Sequence, residues 1–346
     1  MRTKLILTGL LLASAPFLNS CGGGAGDKPA PAMSAKEVAQ EKQSEIDQKK
    51  IDELNHLYSR VPDEGKLIEN GENDVYRELK QRYKDGVIQL KKNVEATGAK
   101  LVFVLIAAEV GKSLNTSPTV KYGIPFIKST LDELGIEYID FAPIIASKDI
   151  KEISQVPKDG HWSKKGAILI AEHISPIVKK YSTVSCTSTF KDTERPETYG
   201  DLPPNDDEVL DGGKNMPYHV KANSQGVRMD HDITFPKKKK RVLLMGDSGF
   251  FCPFLDNEFT ISAVLQQQLP DFEIITDAAI GWTIEDYNTL WNDKTKYTES
   301  DIVIIGANGG DIEDLYFTHR NHLSRSHKPF SPSPAEEKYY KDTYKQ

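Results

Sequence analysis

Two short segments of the chain carry the residue types of a serine-nucleophile site. Asp159 and His161 lie in the stretch Lys-Asp-Gly-His-Trp-Ser, and Ser248 lies in Gly-Asp-Ser-Gly-Phe. A serine hydroxyl is a poor nucleophile at neutral pH unless a base takes its proton, and histidine titrates in the range that this task requires. A carboxylate beside the imidazole holds the correct tautomer. Because a triad is defined by geometry and not by chain order, we predict that the two segments meet in one cleft.

Five apolar segments alternate with helical segments and would position these residues. The predicted strands are 101–106, 136–140, 242–245, 273–276 and 302–305. The predicted helices are 75–94, 125–135, 164–180, 259–269 and 283–291. This alternation predicts a parallel sheet of about five strands with helices on both faces, a three-layer α/β/α fold of the flavodoxin-like kind.

Polar or glycine residues follow three of the predicted strands at their carboxyl ends. Ser248, Gly281 and Asn308 each come shortly after an apolar run. Open α/β sheets place their sites in the loops beyond the carboxyl ends of the strands, so these residues are predicted to lie near one another. Ser163 is predicted to cap the helix that follows the Asp159 and His161 loop.

These residues resemble the conserved blocks of a known hydrolase family. Gly246-Asp247-Ser248 resembles the first block of the GDSL or SGNH hydrolases, Ile280-Gly281 the second, and Gly306-Ala307-Asn308 the third. The resemblance implies that Ser248 is the nucleophile. It also implies an oxyanion hole built from the backbone amides of Ser248 and Gly281 and the side chain of Asn308.

The order of the blocks is permuted relative to most of that family. The segment Asp-Gly-His-Trp-Ser-Lys-Lys-Gly, residues 159–166, stands before the serine block. This arrangement is similar to the alginate O-acetyltransferase group of SGNH-like proteins, over roughly residues 100–311. Two features depart from the pattern: that group does not usually carry a plain Gly-Asp-Ser block, and Gly309 stands where typical SGNH enzymes have aspartate.

The amino-terminal segment predicts a location in the cell envelope. Residues 1–20 contain a basic start and a short apolar run, and they resemble a bacterial lipoprotein signal with Cys21 as the lipidated residue; Asn19 departs from that pattern. An ordinary secretory signal is the alternative. Residues 21–34 read as a flexible tether, and residues 35–98 as a helical segment that packs on the domain. The SGNH-like domain is expected over 99–317, with a polar insertion at 182–236 and a polar tail at 318–346.

Composition excludes some classes of function. Charged residues make up 27% of the chain and hydrophobic residues 38%, and the formal net charge of −7 argues against nucleic-acid binding. The basic run 237–241 is read as a solvated strand entrance in preference to a membrane-surface patch. If Cys21 is lipidated, Cys186 and Cys252 remain, and an oxidising compartment permits one disulfide between them.

The predicted function is transfer or hydrolysis of O-acyl groups, most simply O-acetyl, on an envelope or extracellular polysaccharide. An acyl-Ser248 intermediate would serve both reactions, and no metal or cofactor is expected. The group resemblance implies a membrane-bound acyltransferase as acetyl donor. Two non-catalytic alternatives stay open: a glycan-binding or assembly lipoprotein, and a purely structural one. His319 and His322 offer a competing base, or with His327 a metal site, although solvated histidines in a polar tail are the simpler interpretation.

Overall fold

The computed structural model describes residues 74–106, 119–211 and 214–315. The predicted signal segment, the tether with Cys21, the first part of the helical segment 35–98, and the tail with its three histidines lie outside these ranges. The predictions made for them therefore stay predictions.

A five-stranded parallel sheet forms the centre of the described structure, and a separate two-stranded ribbon accompanies it. The strands are β1 Lys100–Leu105, β2 Glu137–Asp140, β3 Asp207–Leu210, β4 Tyr218–Lys221, β5 Lys240–Gly246, β6 Phe272–Ala278 and β7 Ile302–Ala307. The main sheet has the order β2-β1-β7-β5-β6, and all of its pairs are parallel. Every residue of β7 is buried, as expected for a strand covered on both faces. The predicted α/β class is confirmed.

The strands are permuted along the chain, as the order of the sequence motifs predicts. Counted from β5 as the first strand, and continuing from β7 to β1, the order reads 2-1-3-4-5 across the sheet. That is the flavodoxin-like doubly wound order, in which ligands bind at the switch point between the first and third strands. In this chain the switch point lies between β5 and β7, where Ser248 and Asn308 follow their strands.

Helices cover both faces of the sheet. They are α1 Asp74–Glu95, α2 Ile124–Glu133, α3 Ala142–Ala146, α4 Ile150–Ile153, α5 Lys164–Lys180, α6 Ser248–Phe251, α7 Ile261–Gln268 and α8 Ile284–Asp293. Side chains of α1, α2 and α8 share one buried cluster with one face of the strands, and those of α5 and α7 share a second cluster with the other face. In the described residues the sheet is therefore the middle layer of an α/β/α sandwich, with one buried core on each of its faces.

Local sequence signals explain the two longest helices. In α1, apolar residues recur every three or four positions and point into the first core; they include Leu79, Tyr83 and Val87, each at most 1% exposed. The chain leaves this helix through Gly98, whose φ of +81° is a conformation that glycine adopts without strain. In α5, the Ser163 hydroxyl accepts a hydrogen bond from the Gly166 amide at 3.3 Å, which confirms the predicted cap.

The insertion 182–236 has more structure than its sequence suggests. β3 and β4 pair antiparallel within it, with Asp207 opposite Lys221. Both strands are four residues long, no residue of β3 is buried, and the alternation in β4 is limited to Tyr218 and Val220, so the apolar signal is too short to predict a strand. The connection between β3 and β4 lies close to the segment that carries Asp159 and His161.

The basic run before β5 is only partly solvated, which corrects the expectation. The Arg241 side chain is fully buried, and its guanidinium donates to Glu273 and to the carbonyl of Thr298. Lys237 donates to the carboxylate of Asp301 at 2.8 Å. Charge alone did not reveal these contacts because their acidic partners are distant in sequence.

The disulfide that the sequence permits is not formed. Both thiols are free. The Cys186 amide donates to Asp301, immediately before the amino end of β7, whereas Cys252 follows α6 beyond the carboxyl end of β5. The two cysteines thus lie at opposite ends of the parallel strands. Strands of this length separate them by about 20 Å, far beyond the reach of a disulfide.

In the part of the chain that the structure describes, no helix combines the length and the apolar character needed to cross a membrane.

Candidate functional site

Ser248 is presented by a tight strand-to-helix turn at the end of β5. Asp247 caps α6 through its carboxylate, which accepts the Gly249 amide at 2.8 Å, and Ser248 is the first residue of that helix. A Cβ at Gly246 or at Gly306 would lie 3.1 Å or 3.0 Å from Phe250. The two glycines of the first and third motifs therefore make room for this buried ring, which fixes the helix against β5 and β7.

Asp159 and His161 lie together in the loop before α5. The Oδ1 atom of Asp159 accepts the backbone amide of His161 at 2.7 Å and contacts Nδ1 of the imidazole at 2.5 Å. Because Nδ1 faces the carboxylate, Nε2 is the ring nitrogen left to act as a base. The carboxylate is 4% exposed and the imidazole 31% exposed, so the base is accessible while its partner is not.

Packing around the loop explains the rest of the Asp-Gly-His-Trp-Ser-Lys-Lys-Gly segment. Trp162 is 2% exposed and belongs to the second core, so it is a packing residue. A Cβ at Gly166 would stand 2.1 Å from the carbonyl oxygen of Ile153. Glycine is therefore required there, because the first turn of α5 touches the backbone that precedes the loop.

Ser248, His161 and Asn308 line one small cleft together with Asp247. The cleft has a volume of about 10 Å³, which is about one water position. Within the described ranges, the structure records no hydrogen bond between the Ser248 hydroxyl and the imidazole. Such bonds are often long in the absence of substrate and tighten when it binds.

Asn308 is held by two hydrogen bonds. Its Nδ2 donates to Oδ2 of Asp247 at 2.6 Å, and its Oδ1 accepts the Gly310 amide at 2.6 Å. One hydrogen on Nδ2 is left for a further acceptor. Asp247 thus links the serine turn to Asn308, a role that the sequence did not predict, although aspartate before a helix is a common capping signal.

Gly281 lies in the turn between β6 and α8. Its φ is +77°, the left-handed region that glycine adopts without strain. It is not among the residues that line the cleft. The nearby amide of Ala279 donates to the carbonyl of Gly246 at 3.2 Å, which ties this turn to the end of β5. A donor role for the Gly281 amide stays a prediction.

A lysine that no sequence signal marked completes the environment of Asp159. Lys214, between β3 and β4, forms an ion pair with Oδ2 of Asp159. Burial opposes ionisation of this carboxyl, but the hydrogen bonds from Lys214 and His161 outweigh it, and the pKa of Asp159 lies below its ordinary value of 3.8. No local pattern marks Lys214, because its partner lies 55 residues away.

Two further buried carboxyls, Asp247 in the cleft and its neighbour Asp311, have pKa values shifted in the opposite direction. Burial raises the pKa of Asp247 above its ordinary value, although the Gly249 amide and the charge of His161 oppose the rise. Burial, together with the neighbouring charge of Asp247, raises the pKa of Asp311 well above its ordinary range. Asp311 is fully buried, and neither carboxylate oxygen has a hydrogen-bond partner within the described residues. The site therefore contains one carboxyl with a lowered pKa, that of Asp159, and one with a raised pKa, that of Asp247.

Neither a metal-binding cluster nor the larger hollow of the described structure coincides with this cleft. Among residues 74–106, 119–211 and 214–315, no group of three or more His, Cys, Asp or Glu side chains is arranged to hold a metal ion. A larger hollow of about 770 Å³ lies beneath the insertion and is lined by polar residues such as Asn205, Asp232 and Gln267. It contains neither Ser248 nor His161.

Several solved structures are similar to this chain. The O-acetyltransferase domain of Pseudomonas putida AlgJ has 15% identity, a TM-score of 0.42, and coverage of 72% of this chain and 91% of its own. Pseudomonas aeruginosa AlgX has 15% identity and a TM-score of 0.36, with coverage of 70% and 58%. Bacillus cereus PatB1 with a sulfonyl adduct has 11% identity and a TM-score of 0.39, with coverage of 68% and 89%.

No family model matches the chain, and no curated protein matches it. Identities and TM-scores this low transfer no activity, so the site's own geometry has to support any function.

Proposed function

We propose that this protein is a serine-dependent carbohydrate O-acyltransferase or O-acylesterase, acting on acetyl groups of an envelope or extracellular polysaccharide. The observation that carries the proposal is the shared cleft of Ser248 and His161, with Asp159 on the Nδ1 side of the imidazole. A hydroxyl, a base with its Nε2 free and a buried carboxylate are the three parts that nucleophilic acyl transfer requires.

In the first half-reaction, the Ser248 oxygen attacks the acyl carbonyl carbon while His161 Nε2 takes the hydroxyl proton. The charge that develops on the carbonyl oxygen would be stabilised by the Asn308 amide and the backbone amide of Ser248. When the tetrahedral intermediate collapses, the bond to the leaving oxygen breaks, and the imidazolium returns its proton to that oxygen. The product is an acyl ester on Ser248.

In the second half-reaction, an acceptor hydroxyl attacks the acyl-serine carbonyl while His161 takes its proton. The Ser248 oxygen leaves and recovers that proton, so the enzyme returns to its starting state. A sugar hydroxyl as acceptor gives transfer, and water gives hydrolysis. The acceptor therefore decides between the two reactions, and product analysis with acetylated and unacetylated oligosaccharides distinguishes them.

The test is turnover of a chromogenic acetyl ester together with covalent labelling by a serine-directed phosphonate. The wild type is expected to be labelled at Ser248. Ser248→Ala and His161→Ala are expected to lose up to about a millionfold in kcat because the triad acts as a unit. Ser147→Ala, an exposed serine, and His231→Ala, an exposed histidine, are matched controls that should keep wild-type rates.

Two outcomes would contradict the proposal. Loss of activity in His319→Ala, with His161→Ala still active, would move the base to the tail. Absence of labelling and turnover, with glycan binding unaffected in Ser248→Ala, would favour the non-catalytic assembly function.

The location and partners form part of the same proposal. A lipid on Cys21 would hold the domain at an envelope membrane, and a membrane-bound acyltransferase would supply the acetyl group. Metabolic labelling with a radioactive fatty acid is expected to mark the wild type and not Cys21→Ser. Labelling that persists in Cys21→Ser would exclude this anchor.

A further inference from the structure

Both oxygens of the Asp159 carboxylate have polar partners. Oδ1 accepts the amide of His161 and contacts its Nδ1, while Oδ2 pairs with the ammonium of Lys214. The carboxylate is 4% exposed, so water does not replace a missing partner easily. A carboxylate bonded on one oxygen alone can rotate about its Cβ–Cγ bond, and a partner on the second oxygen stops that rotation.

Lys214 belongs to the insertion 182–236, and its ammonium has an aromatic ring near it as well as the Asp159 carboxylate. Its Nζ lies 5.8 Å from the centre of the Phe254 ring. That ring also lies 6.2 Å from the imidazole of His161 and packs edge-on against Tyr218 at 5.4 Å. Phe254 therefore neighbours both the lysine and the base, so the ammonium has an aromatic neighbour as well as its ion-pair partner.

The lysine also changes the charge that the imidazole experiences. When His161 takes the serine proton, Asp159 stabilises the positive ring, whereas the positive charge of Lys214 opposes it. Lys214 thus limits how strongly the carboxylate holds a proton on the imidazole. A base that releases its proton readily is needed in the collapse step, when the leaving oxygen must be protonated.

We infer that Lys214 is a positioning residue for the acid–base pair, fixing the Asp159 carboxylate and setting the pH at which His161 becomes a base. The inference rests on the proposed function and adds a role for the insertion 182–236, which supplies a charge to the site. The charged groups that face the pair in the described structure are Lys214, from the β3–β4 connection, and Asp247, from the turn after β5.

The test compares Lys214→Met with Lys214→Arg. In Lys214→Met, kcat is expected to fall by about 10- to 100-fold with KM unchanged, by analogy with the loss of a partner that orients a metal-ligating side chain. The acidic limb of the kcat/KM profile is expected to move up by about half a pH unit to one unit, because a partly exposed positive charge has been removed. Lys214→Arg keeps the charge and should restore both properties in large part.

Lys221→Met is the matched control. Lys221 lies in the same ribbon and pairs with the exposed Asp207, so its loss should leave kcat and the pH profile unchanged. A Lys214→Met protein with a lowered Tm, but with wild-type kcat and acidic limb, would reduce the lysine to a structural contact and overturn the inference.

A second readout separates this inference from the proposed function. The imidazole of His161 can be titrated by NMR in the Ser248→Ala background, which needs no turnover. Its midpoint is expected to rise when Lys214→Met is added, and an unchanged midpoint would overturn the inference. If the wild type shows no phosphonate labelling but the midpoint moves, the proposed function fails and the electrostatic role of Lys214 stands.

Discussion

Asn308 is held in place before any substrate arrives. One amide hydrogen is committed to Asp247 and the side-chain oxygen to the Gly310 amide. A donor that is already oriented stabilises a developing oxyanion without a reorganisation cost at the moment of reaction. Asp247 supports this arrangement because its other oxygen is bonded to the Gly249 amide.

Replacing Asn308 with alanine tests this orientation at the level of one side chain. In Asn308→Ala, kcat is expected to fall by about 100- to 1000-fold with little change in KM, the range typical for loss of one oxyanion donor. Steady-state kinetics on the chromogenic ester measure both constants. Asn292→Ala, an exposed residue of α8, should behave as wild type. A wild-type kcat in Asn308→Ala would remove this residue from the oxyanion hole.

At the scale of elements, the insertion is tied to the segment that follows the serine helix. The Arg228 guanidinium donates to the carbonyls of Phe251 and Leu255, and also to that of His219 in β4. Arg228 is 6% exposed, and burial lowers its pKa from the ordinary value. One buried cation therefore joins β4 to the loop that carries Phe254, the ring that lies against His161.

Arg228→Met is expected to destabilise the fold by about 2 to 5 kcal/mol, because several buried carbonyls lose a charged donor. It should also lower kcat, since the Phe254 loop would lose its anchor. Urea unfolding and steady-state kinetics measure the two effects. Arg77→Met, an exposed arginine in α1, is the control and should change unfolding by less than about 1 kcal/mol. Wild-type stability in Arg228→Met would show that this anchor is dispensable.

The elements that local signals define were predicted well. α5 begins and ends where its cap and apolar spacing indicate, and the five strands fall on the apolar runs. The ribbon β3–β4 was not predicted, because both strands are short, β3 has no buried residue, and the alternation in β4 covers only Tyr218 and Val220. Lys214 and Arg228 were missed for a related reason: a charged side chain shows its role only through a partner that the fold brings near.

At the scale of the whole molecule, buried carboxyls make stability depend on pH. Asp311 has a pKa raised by burial, so its contribution to stability is fully present below about pH 3.8, the unfolded value, and is lost as the pH rises through the folded pKa. Asp159 has the opposite sign, because its lowered pKa adds stability that is lost as the pH falls through the folded value.

Asp311→Asn is expected to remove the first of these dependences while keeping the side-chain shape. The Tm difference between variant and wild type should grow in favour of the variant as the pH rises from 5 to 9. Each unit of pKa shift corresponds to about 1.4 kcal/mol, or about 3 to 6 °C in a domain of this size. Thermal melts at several pH values measure it. A Tm difference that stays constant with pH would show that Asp311 does not change protonation on folding.

The arrangement of the whole sheet could be predicted only in part. The alternation of strands and helices predicted its class, and the position of Ser248, Gly281 and Asn308 after three strands was correct. The order of strands was not derivable, because apolar runs do not specify their neighbours. The separation of Cys186 from Cys252 depends on that order and on the parallel direction of the strands, so the free thiols could not be foreseen either.

The last strand of the sheet occupies its middle. β7 pairs with β1 on one side and with β5 on the other, so residues 100–140 and 240–278 are two half-sheets until it arrives. In a chain made from its amino end, Ser248 and His161 are therefore both present before residues 302–307, the strand that joins the two half-sheets, have been made. The turn bearing Asn308 arrives with the same strand, so closure of the sheet and completion of the proposed oxyanion hole would coincide in one late event.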